Sequence, residues 1–288
     1  MSAYELHATP ILQRPVLVVA LEGWIDAGLG AATAVTALLE GRRTDVLAAF
    51  DGDLFIDQRA RRPIARIVDG VTTELTWPRI ELRYGSDDAG ADFLVLSGPE
   101  PDYHWGQFVD AVVQLVVAHG VRLVVGLGAF PAPAPHTRPV RLAATAPRSS
   151  AELIGHVGVV PGELQVPAGV MAALELGLGA ADVPVVTLWA RVPHYVSAMP
   201  FPAASAALVD GLVAVSGLTF DTAELRTAGD DARRQVDELV APNRDHQAMV
   251  RKLEEAIDAT EGNALGLDEL PSGDELAAEL ERFLRDEQ

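Results

Sequence analysis

Three short polar segments each follow an apolar run, and their residue types could recognise a ligand. The strongest chemistry lies in His136-Thr137-Arg138, because an imidazole, a hydroxyl and a guanidinium together can bind a carboxylate or a phosphate. This segment follows the proline-rich run 131–135, whose fixed φ angles reduce the entropy lost in holding a loop in place. The alternative is structural: Arg138 pairs with one of the abundant acidic residues, and His136 hydrogen-bonds the backbone.

The second polar segment, 22–28, contains the spacing G-x-x-x-x-G. Leu29 stands where a phosphate-binding loop needs lysine, and Glu22 and Asp26 place negative charge where a phosphate would sit. We therefore reject a nucleotide loop here. Two interpretations stay open: Asp26 caps the helix that follows, or Glu22, Trp24 and Asp26 line a cleft at the carboxyl end of the first strand.

The third segment, around His194 and Tyr195, follows the apolar run 183–190. Ligands of open α/β sheets bind beyond the carboxyl ends of the strands, so this segment can join the same cleft. The alternative is a histidine that only hydrogen-bonds within the structure. The predicted ligand-binding cleft contains Glu22, Trp24, Asp26, His136, Thr137, Arg138, His194 and Tyr195.

Several kinds of catalytic chemistry have no signature in the sequence. The G-x-G at 126–128 leads into prolines instead of a helix, so it predicts a stiff loop at a strand end and no dinucleotide turn. G-x-S-x-G and H-E-x-x-H do not occur, and the absence of cysteine excludes disulfides, thiolate metal sites and a cysteine nucleophile. We assign no catalytic residue and predict neither a cofactor nor a metal.

Charge and composition narrow the range of partners. The 288 residues are 49% hydrophobic and 22% charged, as in an ordinary globular protein, and the formal net charge is −19. That charge repels the phosphates of nucleic acid and an anionic membrane surface. The chain has no apolar run of 18 residues and no basic, apolar leader. We therefore predict a cytoplasmic protein that binds neither nucleic acid nor membrane.

These segments sit on a predicted alternation of strands and helices, which is typical of an α/β fold with a largely parallel sheet and helices on both faces. In addition, Asp69-Gly70 between β-branched residues predicts a two-residue hairpin. Strands are predicted at 15–22, 44–50, 79–84, 92–97, 121–126, 141–146 and 183–190, and helices at 28–40, 105–119, 168–179 and 203–215.

The last part of the chain differs from the rest. Residues 221–288 carry 19 acidic against 8 basic residues, a net charge of −11. Helices with apolar stripes are predicted at 221–241, 243–259 and 273–286. We predict a core domain, 1–220, that folds without an acidic helical extension, 221–288. The one dense basic patch, Arg59 to Arg62, is expected to pair with acidic neighbours or subunits.

Four segments resemble a known family. They read EGWIDAG (22–28), GLGAFPAPAPHTRPV (126–140), VPAGVMAALE (166–175) and LWARVPHYVSAMPFPAASAALVDGL (188–212). Together they resemble the family named after proteasome assembly chaperone two, and the tail resembles its bacterial branch. The resemblance implies a three-layer α/β/α sandwich similar to purine nucleoside phosphorylases, and a homo-oligomer such as a trimer.

The same resemblance implies no settled enzymatic activity. Members that act on the proteasome end in a hydrophobic residue, tyrosine and any residue, whereas this chain ends Arg285-Asp286-Glu287-Gln288, so docking by that route is not expected. We favour a non-enzymatic, oligomeric assembly or scaffolding factor with an unknown protein client. The alternative is a small-molecule-binding protein or a hydrolase- or phosphorylase-like enzyme that uses the cleft.

Overall fold

The structure is a computed structural model that describes residues 2–23 and 25–262. Trp24 and the helix predicted at 273–286 lie outside the described residues. The strands are β1 (Tyr4–Leu6), β2 (Val16–Glu22), β3 (Asp45–Phe50), β4 (Ile64–Val68), β5 (Val71–Thr76), β6 (Glu81–Ser86), β7 (Asp92–Pro99), β8 (Leu123–Ala132), β9 (Leu142–Thr145) and β10 (Val185–Pro193). The α-helices are α1 (Gly30–Leu39), α2 (Gly52–Phe55), α3 (Trp105–Ala118), α4 (Val170–Ala180), α5 (Pro202–Ser216), α6 (Ala223–Val240) and α7 (Arg244–Gly262).

Eight strands form one sheet in the order β1-β3-β6-β7-β2-β8-β10-β9. The central strands β7, β2, β8 and β10 are parallel, whereas every other pair in the sheet is antiparallel. The prediction of a largely parallel sheet is therefore right for the centre and wrong for both margins. The links from β6 to β7 and from β8 to β9 are shorter than the dozen or so residues that a parallel crossover needs.

The central strands are buried on both faces, which explains their continuous apolar sequences. Along β2, Val16 and Val18 belong to the apolar cluster that contains α1, α5 and α6. Leu17 and Val19 point the other way, into the cluster that contains α3 and α4. The sheet is thus the middle of three layers, and the predicted α/β class is confirmed.

The two described helices of the C-terminal segment are held differently. Helix α6 buries Leu225 and Val236 in the same apolar cluster as α1 and α5, and Gly229 lies close to the backbone of Ala203. Helix α7 has one fully buried side chain among those described, Val250, and its predicted apolar stripe is half-buried. The division at residue 220 remains a prediction, but α6 shares the core of the α/β layers.

Strand β8 is longer than predicted. The sequence predicts a strand that ends at 126 and a loop at 126–130, whereas β8 continues to Ala132 alongside β10. Glycine is needed within this strand because the Trp189 ring of β10 covers Gly128, where a Cβ would lie 2.4 Å from a ring carbon. Strand β2 pairs with β8 only as far as Gly126, so this edge of β8 is open at Pro131. An open edge tolerates a residue that has no N–H to donate.

The predicted hairpin is confirmed as β4 and β5, which form a separate two-stranded sheet. Asp69 and Gly70 both have positive φ, 48° and 82°, as the tightest hairpin turns require. No helix among residues 2–23 and 25–262 is long and apolar enough to cross a membrane.

Candidate functional site

The three polar segments of the sequence meet at one edge of the sheet. Strands β2, β8 and β10 are parallel, so their carboxyl ends point the same way. The main chain joins the segments, because the Gly28 N–H donates to the Ser197 carbonyl at 2.7 Å and the Phe201 N–H donates to the Gly28 carbonyl at 2.8 Å. This edge, which we call the carboxyl edge, therefore carries the candidate site.

On the β2 side of the carboxyl edge, Asp26 has a structural role. Its two carboxylate oxygens accept hydrogen bonds from the backbone N–H groups of Ala31 and Ala32, at 2.8 and 3.0 Å, in the first turn of α1. The carboxylate thus satisfies amides that the helix leaves unpaired, as the capping interpretation predicts. Glu22 is exposed at the end of β2.

On the β8 side, His136 is buried and links three elements. The Tyr195 hydroxyl accepts the His136 backbone N–H at 2.8 Å and lies 2.6 Å from Nδ1 of the same residue. The other ring nitrogen, Nε2, lies 3.0 Å from Oδ1 of Asp237 in α6. The Tyr195 hydroxyl, the His136 ring and the Asp237 carboxylate all have a partner when Tyr195 donates to Nδ1 and Nε2–H donates to Asp237. His136 therefore fastens α6 to the loop after β8 and to the end of β10.

An Asp-His-Tyr chain of this kind can in principle move protons, but its surroundings oppose that use. Desolvation, followed by the charges of Glu254 and Asp237, raises the pKa of Tyr195 to about 12. A phenol so hard to ionise is a poor nucleophile or base at neutral pH. The side chain of His136 is only 1% exposed, and both of its ring nitrogens are already paired, with Tyr195 and Asp237. The geometry is that of a structural clamp.

Thr137 and Arg138 donate to carboxylates of α7, as the structural alternative predicts for Arg138. The Thr137 hydroxyl donates to Glu254 Oε1 at 2.5 Å. The Arg138 guanidinium donates through Nε and Nη2 to both oxygens of Asp258, at 2.9 and 2.7 Å, and through Nη1 to Glu254 at 3.3 Å. These bonds lower the pKa of Asp258. The helical extension therefore occupies the groups that could have held a ligand.

A small surface cavity of about 260 Å³ remains between this loop and the two helices. Of the predicted cleft residues that the structure describes, His136 and Thr137 line it. The ring of His194 packs edge-on against Tyr195, and its Nδ1 is buried with no hydrogen-bond partner among the described residues. Hydrogen bonds thus join His136 to Tyr195, whereas the carboxylate of Asp26 bonds the first turn of α1. The cavity is lined by His136, Thr137, Asp237, Val240, Gln247, Val250 and Arg251.

Sequence reasoning missed a half-buried carboxyl, Glu175 of α4. Thr145 and Thr187 donate their hydroxyls to its Oε1, and the Trp189 indole donates to Thr145 at 3.1 Å. Desolvation raises the pKa of Glu175, although both threonine hydrogen bonds act the other way. The available signal was one charged residue inside an otherwise apolar helix. No group of three or more His, Asp or Glu placed to hold a metal occurs within 2–23 and 25–262.

On the β3 and β6 side, the carboxyl edge carries the β4–β5 hairpin. We call residues 57–79 the arm, because its two strands pair only with each other and all their residues are exposed. Arg61 at its base pairs with Asp102 at 3.3 Å, as expected for part of the basic patch. Residues 74–77 of the arm line a surface cavity of about 300 Å³ together with Glu81, Ser97 and Gly98 of the sheet.

Comparison with known proteins agrees with this arrangement of strands and polar segments. The model of the PAC2 family matches residues 20–240. The chain belongs to the PAC2 family. This confirms the resemblance seen in the four segments, all of which lie wholly or mostly within the matched region. No curated protein sequence matches this chain.

Several solved structures superpose over most of the chain. A Corynebacterium glutamicum protein of unknown function is 32% identical, with a TM-score of 0.85 over 92% of this chain and 100% of the other. A proteasome-assembly chaperone homologue from Mycobacterium tuberculosis is 33% identical, with a TM-score of 0.75 over 82% of this chain and 99% of the other. An archaeal proteasome activator from Pyrococcus furiosus, 16% identical with a TM-score of 0.63 over 83% and 99% of the two chains, shares the fold.

Proposed function

We propose that this PAC2-family protein is a non-enzymatic, homo-oligomeric assembly factor that binds a protein client. The proposal rests on one observation. The side chains of Thr137 and Arg138 donate hydrogen bonds to Glu254 and Asp258 of the same chain. A catalytic or ligand-binding loop needs such groups available to its substrate. Here they hold a helix, so the side of the molecule presented to a partner is the outer face of α6 and α7.

The relatives suggest which client to test first. One relative at 33% identity is named a proteasome-assembly chaperone homologue. We therefore propose proteasome subunits of the protein's own organism as the first client, in the cytoplasm. The family resemblance supports a closed oligomer such as a trimer and a fold similar to purine nucleoside phosphorylases, and both remain part of the proposal.

Charge gives the client surface its expected chemistry. Helices α6 and α7 together carry ten acidic and six basic residues, and Asp230 and Glu238 are exposed on α6. Such a face attracts a basic or polar protein surface and repels nucleic acid, and the attraction weakens as salt screens it. The proposed client interaction is therefore salt-sensitive.

The test mixes the purified protein with purified proteasome subunits and measures complex formation by sedimentation and native mass spectrometry. We expect a complex that weakens with added salt and with the double variant Asp230→Lys, Glu238→Lys. The matched control is Asp110→Lys on the exposed side of α3, which leaves the complex intact. If the wild type forms no complex at micromolar concentration, the proteasome is not the client.

One observation favours the alternative, a small-molecule site. The cavity of about 260 Å³ beside His136 lies just below the usual size of ligand pockets, roughly 300–1,000 Å³. A ligand there would contact Gln247 and Arg251 of α7 as well as His136. A small molecule that protects these residues from amide exchange would support this alternative, and turnover of any substrate would contradict the non-enzymatic assignment.

A further inference from the structure

We propose that the face of the sheet around Arg191, near the carboxyl end of β10, binds a small organic acid through its carboxylate. The site, which we call the Arg191 site, is formed by Arg191 and Trp189 of β10, Phe130 of β8 and Arg141 just before β9. This face of the sheet carries α3 and α4, whereas α6 packs on the opposite face. The inference therefore goes beyond the proposed client interaction and does not rest on it.

The register of the strands places the four side chains on one face. Arg191 lies beside Phe130 in the parallel pairing of β10 with β8. On its other side, the Arg191 N–H donates to the Arg141 carbonyl at 3.0 Å, which continues the antiparallel pairing of β10 with β9. Trp189 is two residues from Arg191 and so points to the same face. Two guanidinium groups and two aromatic rings thus share one surface near the carboxyl edge, where open α/β sheets bind ligands.

Arg191 is desolvated but has few partners among the described residues. A guanidinium has several N–H donors, and within the described chain that of Arg191 makes a single hydrogen bond, from Nη2 to the Val159 carbonyl at 3.0 Å. Its Nε is buried and has no hydrogen-bond partner there. By contrast, Arg42 and Arg83, which are also mostly buried, each pair with a carboxylate. A carboxylate beside Arg191 would supply the acceptors that these other arginines already have.

The opposition of two positive charges also favours a bound anion. Like charges directly opposite each other on neighbouring strands destabilise the pair. Here burial, followed by the charge of Arg141, lowers the pKa of Arg191. An anion that reaches Arg191 would offset both the lost hydration and the repulsion from Arg141.

The surroundings select an organic carboxylate over an inorganic ion. A guanidinium matches the paired oxygens of either a carboxylate or a phosphate. Trp189 and Phe130 are only partly buried, and the Trp189 indole N–H already donates to Thr145 at 3.1 Å, so the indole offers a ligand its apolar surface. The net charge of −19 opposes a doubly charged phosphate more strongly than a single carboxylate. A monocarboxylate with an aromatic or apolar body therefore fits this chemistry.

The test titrates the full-length protein with para-fluorophenylacetate and follows binding by fluorine NMR. We expect saturable binding to the wild type, about ten-fold or more weaker binding to Arg191→Gln, and partial recovery in Arg191→Lys, which keeps the charge. The matched control is Arg43→Gln, which removes an arginine whose side chain is 93% exposed and leaves the affinity unchanged. Para-fluorophenethylamine has the same ring and a positive charge, and it should not bind at this site. Circular dichroism checks that each variant is folded.

Proton–nitrogen spectra of the labelled protein show where the probe binds. The indole N–H signal of Trp189, assigned with Trp189→Phe, and the Nε–H signal of Arg191 should both shift during the titration. The proposal is overturned by no saturable binding at millimolar concentrations, by equal affinities of the wild type and Arg191→Gln, or by shifts confined to residues 247–251 at the cavity beside His136. Inorganic phosphate that binds more tightly than the probe would overturn the assignment to an organic acid.

Discussion

The two sides of the carboxyl edge carry similar residues in different surroundings. Beside β8, a loop with a histidine and an arginine is matched by carboxylates of α6 and α7, and His136 is buried under them. Beside β3 and β6, the arm has arginines and apolar residues whose strands pair only with each other. Residue type alone therefore does not separate an internal clamp from an exposed segment. The two sides differ in whether a helix further along the chain supplies carboxylates that pair with the basic residues.

The largest effect is expected from removing α6, the helix that completes the clamped side. A chain that ends at residue 220 loses the buried side chains of Leu225 and Val236 and uncovers α5. We expect a loss of about 4 kcal/mol or more in the free energy of unfolding, because each large apolar side chain removed from a core costs about 2–5 kcal/mol. Urea unfolding followed by circular dichroism measures this.

The matched control is a chain that ends at residue 241, which keeps α6 but lacks α7. Since Val250 is the single buried side chain described in α7, this longer chain should unfold cooperatively with a midpoint near that of the full-length protein. Equal stability of the two shortened chains would contradict a core role for α6 and would support the independent 1–220 domain that the sequence predicts.

The next effect concerns the clamp itself. Tyr195→Phe removes the hydroxyl that satisfies both the backbone N–H and Nδ1 of His136, so we expect a loss of about 1–3 kcal/mol at pH 7. The pKa of Tyr195 is about 12 in the folded chain against 10.0 for the ordinary phenol. Because Tyr195 ionises at a higher pH in the folded chain than in the unfolded chain, the free energy of unfolding is unaffected below pH 10 and falls as the pH rises towards 12.

The wild type should therefore lose about 2 kcal/mol by pH 12 that the Phe variant does not lose, and the gap between them should narrow. Chemical denaturation of both proteins at pH 8 to 11.5 follows this gap. A gap that stays constant or widens above pH 10 would show that the hydroxyl is not buried in the clamp.

Local patterns predict the elements well because their causes are local. Asp69-Gly70 specifies its hairpin through backbone conformation, and Asp26 specifies the start of α1 through nearby amides. The partners of Arg138 are more than 110 residues away, so no local pattern identifies them. Glu254 and Asp258 are four apart and lie on one face of a predicted helix, but only tertiary packing places that face over the loop. For the arm, the sequence predicts the hairpin but not its exposure, because the same alternation of side chains also fits a buried strand.

A smaller and purely local effect is expected for Arg138→Gln. The variant removes the paired hydrogen bonds to Asp258 and the contact with Glu254, so α7 should open more often while the core stays intact. Amide exchange within 250–258 should rise roughly ten-fold, and the difference should shrink at high salt. The control is Arg226→Gln, which breaks a pair with Asp210 at 2.7 Å on another surface. Equal exchange of α7 in both variants would mean that the loop does not hold the helix.

The smallest effect on folding is expected in the arm, which makes the comparison sharp. Ile67→Ser replaces an exposed side chain of a hairpin that pairs only with itself, so the free energy of unfolding of the monomer should change by less than about 0.5 kcal/mol. It is measured by urea unfolding at a concentration where the protein is dissociated. A loss of several kcal/mol in the dissociated protein would show instead that the arm packs on its own chain, and the two sides of the edge would then be alike.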